Sequence, residues 1–391
     1  MKHNFDEVID RHDTNSLKYD FATERGKPRG LIPLWVADMD FRTAPCVTEA
    51  LVKSAEHAIF GYSDTKKNGA CFGAVQKWFA ERLDFEVKSD WLVKAPGVVF
   101  ALYAAVRASA GPGDGVLIQP PVYHPFREAV KATGRRLVTS PLLYTGGKYE
   151  INFGDFEEEV VKNNVKAFIL CSPHNPVGRV WTKSELAQMG NICLKHNVIV
   201  ISDEIHCDFV YGTVKHTVFG SINEKFLNNS IICTAPSKTF NLAGLQEANI
   251  FIADPALRSR FREEAANTGY SQLNTMGLVA CEAAYSSGGE WLDDLLTYLE
   301  KNYYYVKEFI NTNLPKIHVV ELEGTYLLWL DLNAYGLSEE ELETIITAKA
   351  RLWVSKGSSF GDEGKGFIRV NIACPLATLE KAFNQLASAL K

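Results

Sequence analysis

Three familiar cofactor and metal signatures are missing from this chain. No G-x-G-x-x-G or G-x-x-x-x-G-K-[ST] stretch occurs, which disfavours a dinucleotide or nucleoside-triphosphate fold. Eight cysteines are present, but none are paired as C-x-x-C, so neither a zinc site nor a disulfide frame is indicated and the thiols are read as reduced. Long apolar runs are also absent: no stretch approaches the ~18 residues of a membrane span. The first ten residues, MKHNFDEVID, hold no apolar signal core, so a cytoplasmic location is expected. A net positive charge is absent as well. A formal net charge of -6 argues against nucleic acid or an anionic membrane as partner, and no helix-turn-helix pattern precedes residue 30. A small-molecule partner remains.

What is present has the rhythm of an α/β protein. The 391 residues exceed one ordinary core, so two domains are expected. Apolar runs that end in turns alternate with helical patterns, as parallel strands with right-handed crossovers require. Three runs matter most. Ser230-Ile-Ile-Cys233 leads into Thr234-Ala-Pro-Ser-Lys-Thr-Phe-Asn-Leu-Ala-Gly244, which puts Lys238 just past a strand end beside Ser237 and Asn241. Val198-Ile-Val-Ile-Ser-Asp203 places Asp203 at the carboxyl end of a buried strand, where open α/β sheets bind ligands. Ala167-Phe-Ile-Leu-Cys-Ser-Pro-His-Asn-Pro-Val-Gly178 delivers Asn175 in the same way. Lys238 alone could be an ordinary loop lysine. Taken together, an amine able to condense with an aldehyde, a carboxylate for a pyridinium nitrogen and an amide for a phenolic oxygen suit a pyridoxal phosphate site.

Further segments extend that reading. In Trp91-Leu-Val-Lys-Ala-Pro-Gly-Val-Val-Phe100 a strand, a glycine turn and a helix start offer the N–H groups of Gly97, Val98 and Val99 to a phosphate, a pattern that many α/β connections share. Gly115-Val-Leu-Ile-Gln-Pro-Pro-Val-Tyr123 brings Tyr123 to a strand end, either to stack on a flat ring or to cap a helix. Arg369 stands in mid-strand among apolar residues, where a guanidinium needs an anion; a substrate α-carboxylate and a buried structural ion pair are the two readings. Asp203, Glu204, His206 and Asp208 could in principle ligate a metal, but the period of two on a strand splits them between faces. Helices are expected from Thr43-Ala-Pro45 to Phe60-Gly-Tyr-Ser63, over Gly69 to Phe85, after a capping box at Thr182-Lys-Ser-Glu185, and over Asn274 to Asn313. A hairpin is expected around Tyr144-Thr-Gly-Gly-Lys148.

The segments Ser172-Pro-His-Asn-Pro-Val-Gly178, Asp203-Glu-Ile-His206, Ala235-Pro-Ser-Lys-Thr-Phe-Asn-Leu-Ala-Gly244 and Gly366-Phe-Ile-Arg-Val-Asn-Ile-Ala373 resemble the fold type I pyridoxal phosphate enzymes of the class I/II aminotransferase superfamily. Within them the chain most resembles the cystathionine β-lyase or C-S lyase branch, the MalY/PatB group, over nearly its whole length. The resemblance implies a large domain (45–285) with a mostly parallel seven-stranded sheet and a smaller α/β domain formed by 1–44 and 286–391. It implies that Lys238 is the covalent and proton-transferring lysine, that Asp203 and His206 lie at the cofactor, that Tyr123 stacks on it, and that Ser237 joins Gly97, Val98 and Val99 at its phosphate. Arg369, with Asn175, Tyr123 and the Ala37 N–H, would face the amino-acid substrate. Tyr62 would reach the cofactor phosphate of the neighbouring subunit in a homodimer. The implied activity is cleavage of L-cystathionine or a related cysteine S-conjugate to a thiol, pyruvate and ammonia. An aminotransferase, or a regulatory protein that binds a partner with the cofactor as a ligand only, are the alternatives. Two departures stand out: His124 occupies a place where many members carry a second aromatic residue, and Gln246 a place where relatives often carry a basic phosphate ligand.

Overall fold

The computed structural model describes residues 2–65, 69–270 and 272–391. Its central sheet has seven strands: β1 (Leu92–Ala95), β2 (Gly115–Ile118), β3 (Arg136–Thr139), β4 (Val165–Cys171), β5 (Ile199–Asp203), β6 (Ser230–Thr234) and β7 (Ala248–Phe251). In space they run β1-β7-β6-β5-β4-β2-β3. All neighbours are parallel except β7, which is antiparallel to both β1 and β6. The alternation seen in the sequence is thus a mostly parallel sheet covered on both faces. Ala167, Ile169 and Cys171 pack on one side with Ile201 and the helix Val98–Ser109. Phe168, Leu170 and Val200 pack on the other with Phe156 and Leu186.

Register brings the site together. Cys171 of β4 lies opposite Asp203 of β5, and Asp203 opposite Cys233 of β6. These strand ends are therefore flush, and the residues that follow each of them leave from one edge.

A second sheet, antiparallel throughout, comprises β8 (His318–Val319), β9 (Leu327–Asp331), β10 (Ser355–Lys356) and β11 (Phe367–Asn371), in the order β8-β9-β11-β10. Ile32–Pro33 pairs with Leu352–Trp353, which ties the N-terminal segment to this part of the chain. The hairpin forms over Leu143–Thr145 and Lys148–Glu150, and Thr182 with Glu185 caps the helix Lys183–Lys195.

Two helix expectations need correction. The helix opening at Pro45 ends at His57, with Ala58 left-handed at φ 57°, rather than at residues 60–63. Ile59, Phe60 and Tyr62 are 68%, 63% and 98% exposed, so nothing among the described residues packs against a further turn. The long helical stretch divides at Gly288 into Thr275–Ser287 and Gly289–Asn313, and at that position Phe240 and the Ala284 carbonyl occupy the space a side chain would need. Among the described residues no helix is long and apolar enough to cross a membrane.

Candidate active site

A cavity of about 490 Å³ opens where the flush strand ends meet the second sheet. Its walls include Ala37, Gly97, Val98, Val99, Tyr123, Asn175, Asp203, His206, Ser237, Lys238 and Arg369. All but one of the residues expected from sequence therefore come together. The exception is Tyr62, which stands on the surface in a separate depression with Phe60 and Tyr270.

Lys238 lies on the single helical turn Pro236–Thr239 that follows β6, with Pro236 at its first position. Its side chain is half-buried and lines the cavity. Burial pulls its pKa down to about 8, Arg369 pushes the same way, and Asp38 and Asp203 oppose. Nζ donates to the Ala37 carbonyl at 2.6 Å. Asp203 closes β5, and burial lifts its carboxyl to about 7. Its Oδ1 accepts from the Ile205 N–H at 3.1 Å, which favours the charged form but not enough to offset the loss of water. His206 is buried and held neutral by desolvation and by the positive charges of Lys238 and Arg369; its Nδ1 has no partner among the described residues.

Arg369 projects from β11, and its strand neighbours are buried. One guanidinium nitrogen donates to Asn175 Oδ1 at 3.0 Å; the other donates to the Trp35 carbonyl at 2.7 Å and to Ser355 Oγ at 3.2 Å. The guanidinium carbon sits 4.9 Å from the centre of the Phe360 ring. Nε is buried without a partner, and no carboxylate pairs with this arginine among the described residues. The structural ion-pair reading is therefore not met. Burial lowers the guanidinium pKa to about 10, which leaves a cation in want of an anion at neutral pH. Asn175, with Oδ1 engaged by Arg369, has its Nδ2 left to donate.

The opposite end is built differently. Gly97 adopts φ 135°, a conformation that suits glycine, and starts the helix Val98–Ser109 with no side chain capping its first turn. Ser237, Gln246 and Glu247 complete this end. Glu247 is already paired with Lys94 at 2.7 Å, both side chains being buried. Tyr123 precedes the helix His124–Ala132, its N–H donating to the Asn175 carbonyl at 3.1 Å, and His124 stands at the exposed rim.

The acidic residues after Asp203 are committed elsewhere. Glu204 accepts from Ser202 Oγ and the Phe219 N–H and contacts His216, while Asp208 accepts from Trp78 Nε1 and Thr239 Oγ1. No cluster able to hold a metal is found among the described residues. Sequence reasoning missed Trp35, Phe360 and Tyr326. The Tyr326 hydroxyl donates to the same Ala37 carbonyl as Lys238, at 2.9 Å. Trp35 stands two residues before Ala37, whereas Tyr326 and Phe360 carry no local sequence signal for the site.

Comparison with known proteins points the same way. The profile of the aminotransferase class I and II family matches residues 29–386. The cystathionine beta-lyase PatB of Bacillus subtilis (strain 168) is 43% identical over 389 residues, covering 99% of this chain and all of that protein. The structure of a PLP-bound putative aminotransferase from Clostridium difficile 630 superposes with a TM-score of 0.97 at 41% identity, with each chain fully covered. Cystalysin from Treponema denticola, whose structure contains pyridoxal 5'-phosphate, gives 0.96 at 38% identity over 100% of this chain and 99% of that one. Three strand ends in register, a lysine beside a buried carboxylate, and a match over nearly every residue place this chain in the aminotransferase class I and II family.

Proposed function

We propose that the protein is a pyridoxal phosphate-dependent C-S β-lyase that converts L-cystathionine or a related cysteine S-conjugate, with water, to a thiol, pyruvate and ammonia. The observation that carries this reading is the pairing, in one cavity, of a buried arginine that has no acidic partner among the described residues with an amine whose pKa burial has lowered. One suits an α-carboxylate and the other suits a proton on the neighbouring carbon. The cofactor fits what is present: the uncapped helix start at Gly97, Val98 and Val99, together with Ser237, suits its phosphate, and the enclosed Asp203 carboxylate suits a ring N–H. When bound, it supplies an aldehyde for the lysine and a ring that accepts electrons from the substrate carbon.

The chain's own groups divide the remaining work. Arg369 holds the α-carboxylate through two nitrogens, helped by Asn175 and the Ala37 N–H. Asp203 keeps a proton on the ring nitrogen, with the neutral His206 beside it. Tyr123 would pack on the ring and exclude water. Lys238 Nζ removes the Cα proton, after which the electron pair at Cα drives out sulfur at Cβ and the C–S bond breaks. Water then converts the three-carbon remainder to pyruvate and ammonia.

The same reading makes residues 45–285 the cofactor-binding unit and makes the protein a homodimer. The exposed Ile59, Phe60 and Tyr62 suit a subunit interface from which Tyr62 reaches the partner's phosphate. Its test is direct. Supplied with L-cystathionine and no keto acid, the purified holoprotein is expected to release pyruvate, and Lys238→Ala none. Amino-group transfer to an added keto acid, without pyruvate in its absence, would make it an aminotransferase instead.

A further inference from the structure

Residues 35–41 cross the cavity as neither helix nor strand, so their backbone groups must find partners outside regular structure. The Asp40 N–H finds the Ala373 carbonyl at 2.9 Å, and the carbonyls from Trp35 to Met39 find side chains. The Trp35 carbonyl takes Arg369; the Val36 and Asp38 carbonyls both take Asn371 Nδ2, at 2.6 and 2.7 Å; and the Ala37 carbonyl takes Lys238 and Tyr326. Asn241 spans the Met39 N–H at 2.9 Å and the Met39 and Phe41 carbonyls, each at 3.0 Å. Five successive carbonyls, from Trp35 to Met39, are thus held by side chains. The donors come from both halves of the site, Asn241 standing three residues after Lys238 and Asn371 two residues after Arg369.

We propose that Asn241 and Asn371 are positioning residues that fix the 35–41 strap so that the Ala37 carbonyl aims the free amine of Lys238 while the same strap holds Arg369. This rests on the role given to Lys238 above. The geometry accounts for the direction of action. An amine held through one hydrogen to a fixed acceptor has its lone pair restricted to a narrow range of directions, and misplacing a base by about 1 Å can cost on the order of 10²-fold in rate. The carbonyl also favours the ammonium form at Nζ, against the desolvation that lowers its pKa. Tyr326 competes for the same oxygen, so the two flanking groups have opposite effects: Asn241 holds the acceptor in place, and Tyr326 draws on its lone pairs.

Asn241→Gly and Tyr326→Phe are the variants of choice, because the Met39 carbonyl that Asn241 would leave still accepts from Arg11 Nη1 at 3.1 Å. Glycine tolerates the φ of 58° found at Asn241, and phenylalanine keeps the buried ring. In the cofactor-free protein, the pH dependence of Lys238 carbamoylation by cyanate, read by peptide mass spectrometry, reports the amine's protonation. The midpoint is expected to fall in Asn241→Gly and to rise in Tyr326→Phe. In the holoprotein, Asn241→Gly should lower kcat by about tenfold or more, raise the isotope effect with Cα-deuterated L-cystathionine and change KM little. A strap that merely stabilised the fold would lower Tm in both variants with the two midpoints and the isotope effect unmoved, and that result would overturn the proposal. Failure of the wild-type protein to form pyruvate would instead count against the lyase reading and leave the cyanate measurement standing.

Discussion

The two ends of the cavity use different physics to attract negative charge. At one end Arg369 brings a full, buried charge with a fixed fork and, among the described residues, hydrogen-bonds it only to neutral acceptors: Asn175, the Trp35 carbonyl and Ser355. At the other, the helix start at Gly97 and the Ser237 hydroxyl offer dipoles, and Gln246 stands where a cation could. A lone buried charge costs stability whenever the anion is away, whereas helix dipoles cost almost nothing while they wait. The charged end therefore suits a ligand that arrives and leaves at every turnover, and the dipolar end suits one that stays.

The largest effect that would break this contrast is at Arg369. Arg369→Ala should lower kcat/KM for the amino acid by roughly 10²- to 10³-fold, the range for truncating a buried, hydrogen-bonded charge, while cofactor content stays near normal. The Tm of the variant should not fall in proportion, because a buried cation with no acidic partner is lost with the side chain. If Tm drops by many degrees and substrate affinity holds, the guanidinium is part of the scaffold and the contrast fails.

Asp203 gives the next effect, and its sign can be worked out. In the cofactor-free protein its pKa is about 7 against 3.8 for the ordinary carboxyl, so the folded state binds the extra proton between those values. Stability from this group is then fully present below about pH 4 and is lost as pH rises towards 7. Lys238 runs the other way: with a folded value of about 8 against 10.5, its contribution is present above the unfolded value and is lost as pH falls through 8. Asp203→Asn should flatten the decline in thermal midpoint of the cofactor-free protein between pH 4 and 7 and leave the alkaline limb alone. In the holoprotein it should slow pyruvate release by about 10²-fold, the order of a proton-holding contribution. An unchanged acid limb would mean that the carboxyl stays solvated.

The floor of the site was far more legible in the sequence than its roof. Apolar β-branched runs that stop at polar residues mark strand ends, and parallel register converts three such stops into one row; Lys238, Asp203 and Asn175 follow from that alone. The roof depends on side chains meeting irregular backbone. Asn371 shares the face of Arg369 two residues along β11, so its inward direction could have been read from the period of two, but its target, the strap at 36–38, lies more than 330 residues away. Tyr326, through its bond to the Ala37 carbonyl, and Phe360, on the cavity wall, join the site through the pairing of β9 with β11 and the loop before it, which no local pattern encodes. The helix expected to run to residues 60–63 is cut short for a related reason: it ends at His57, before Ile59 and Phe60, which are exposed.

The smallest effect lies at the dipolar end. Gln246 is left-handed at φ 50° and exposed on the cavity wall, so Gln246→Arg places a cation there without new backbone strain beyond what glutamine already bears. Two things limit the gain. Water screens a charge at an exposed position, which makes such pairs worth about 1 kcal/mol or less. Glu247 also has a buried Oε2 without a partner and competes for the new guanidinium. Cofactor dissociation is therefore expected to slow only a few-fold at low ionic strength, and the difference from wild type should vanish in about 1 M salt, where charges are screened within roughly 3 Å. A gain that survives high salt would mean that the arginine binds by shape and not by charge. No gain at low salt, with Ser237→Ala also without effect, would show that the phosphate is not held at this end, and the contrast between the two ends would lose its second half.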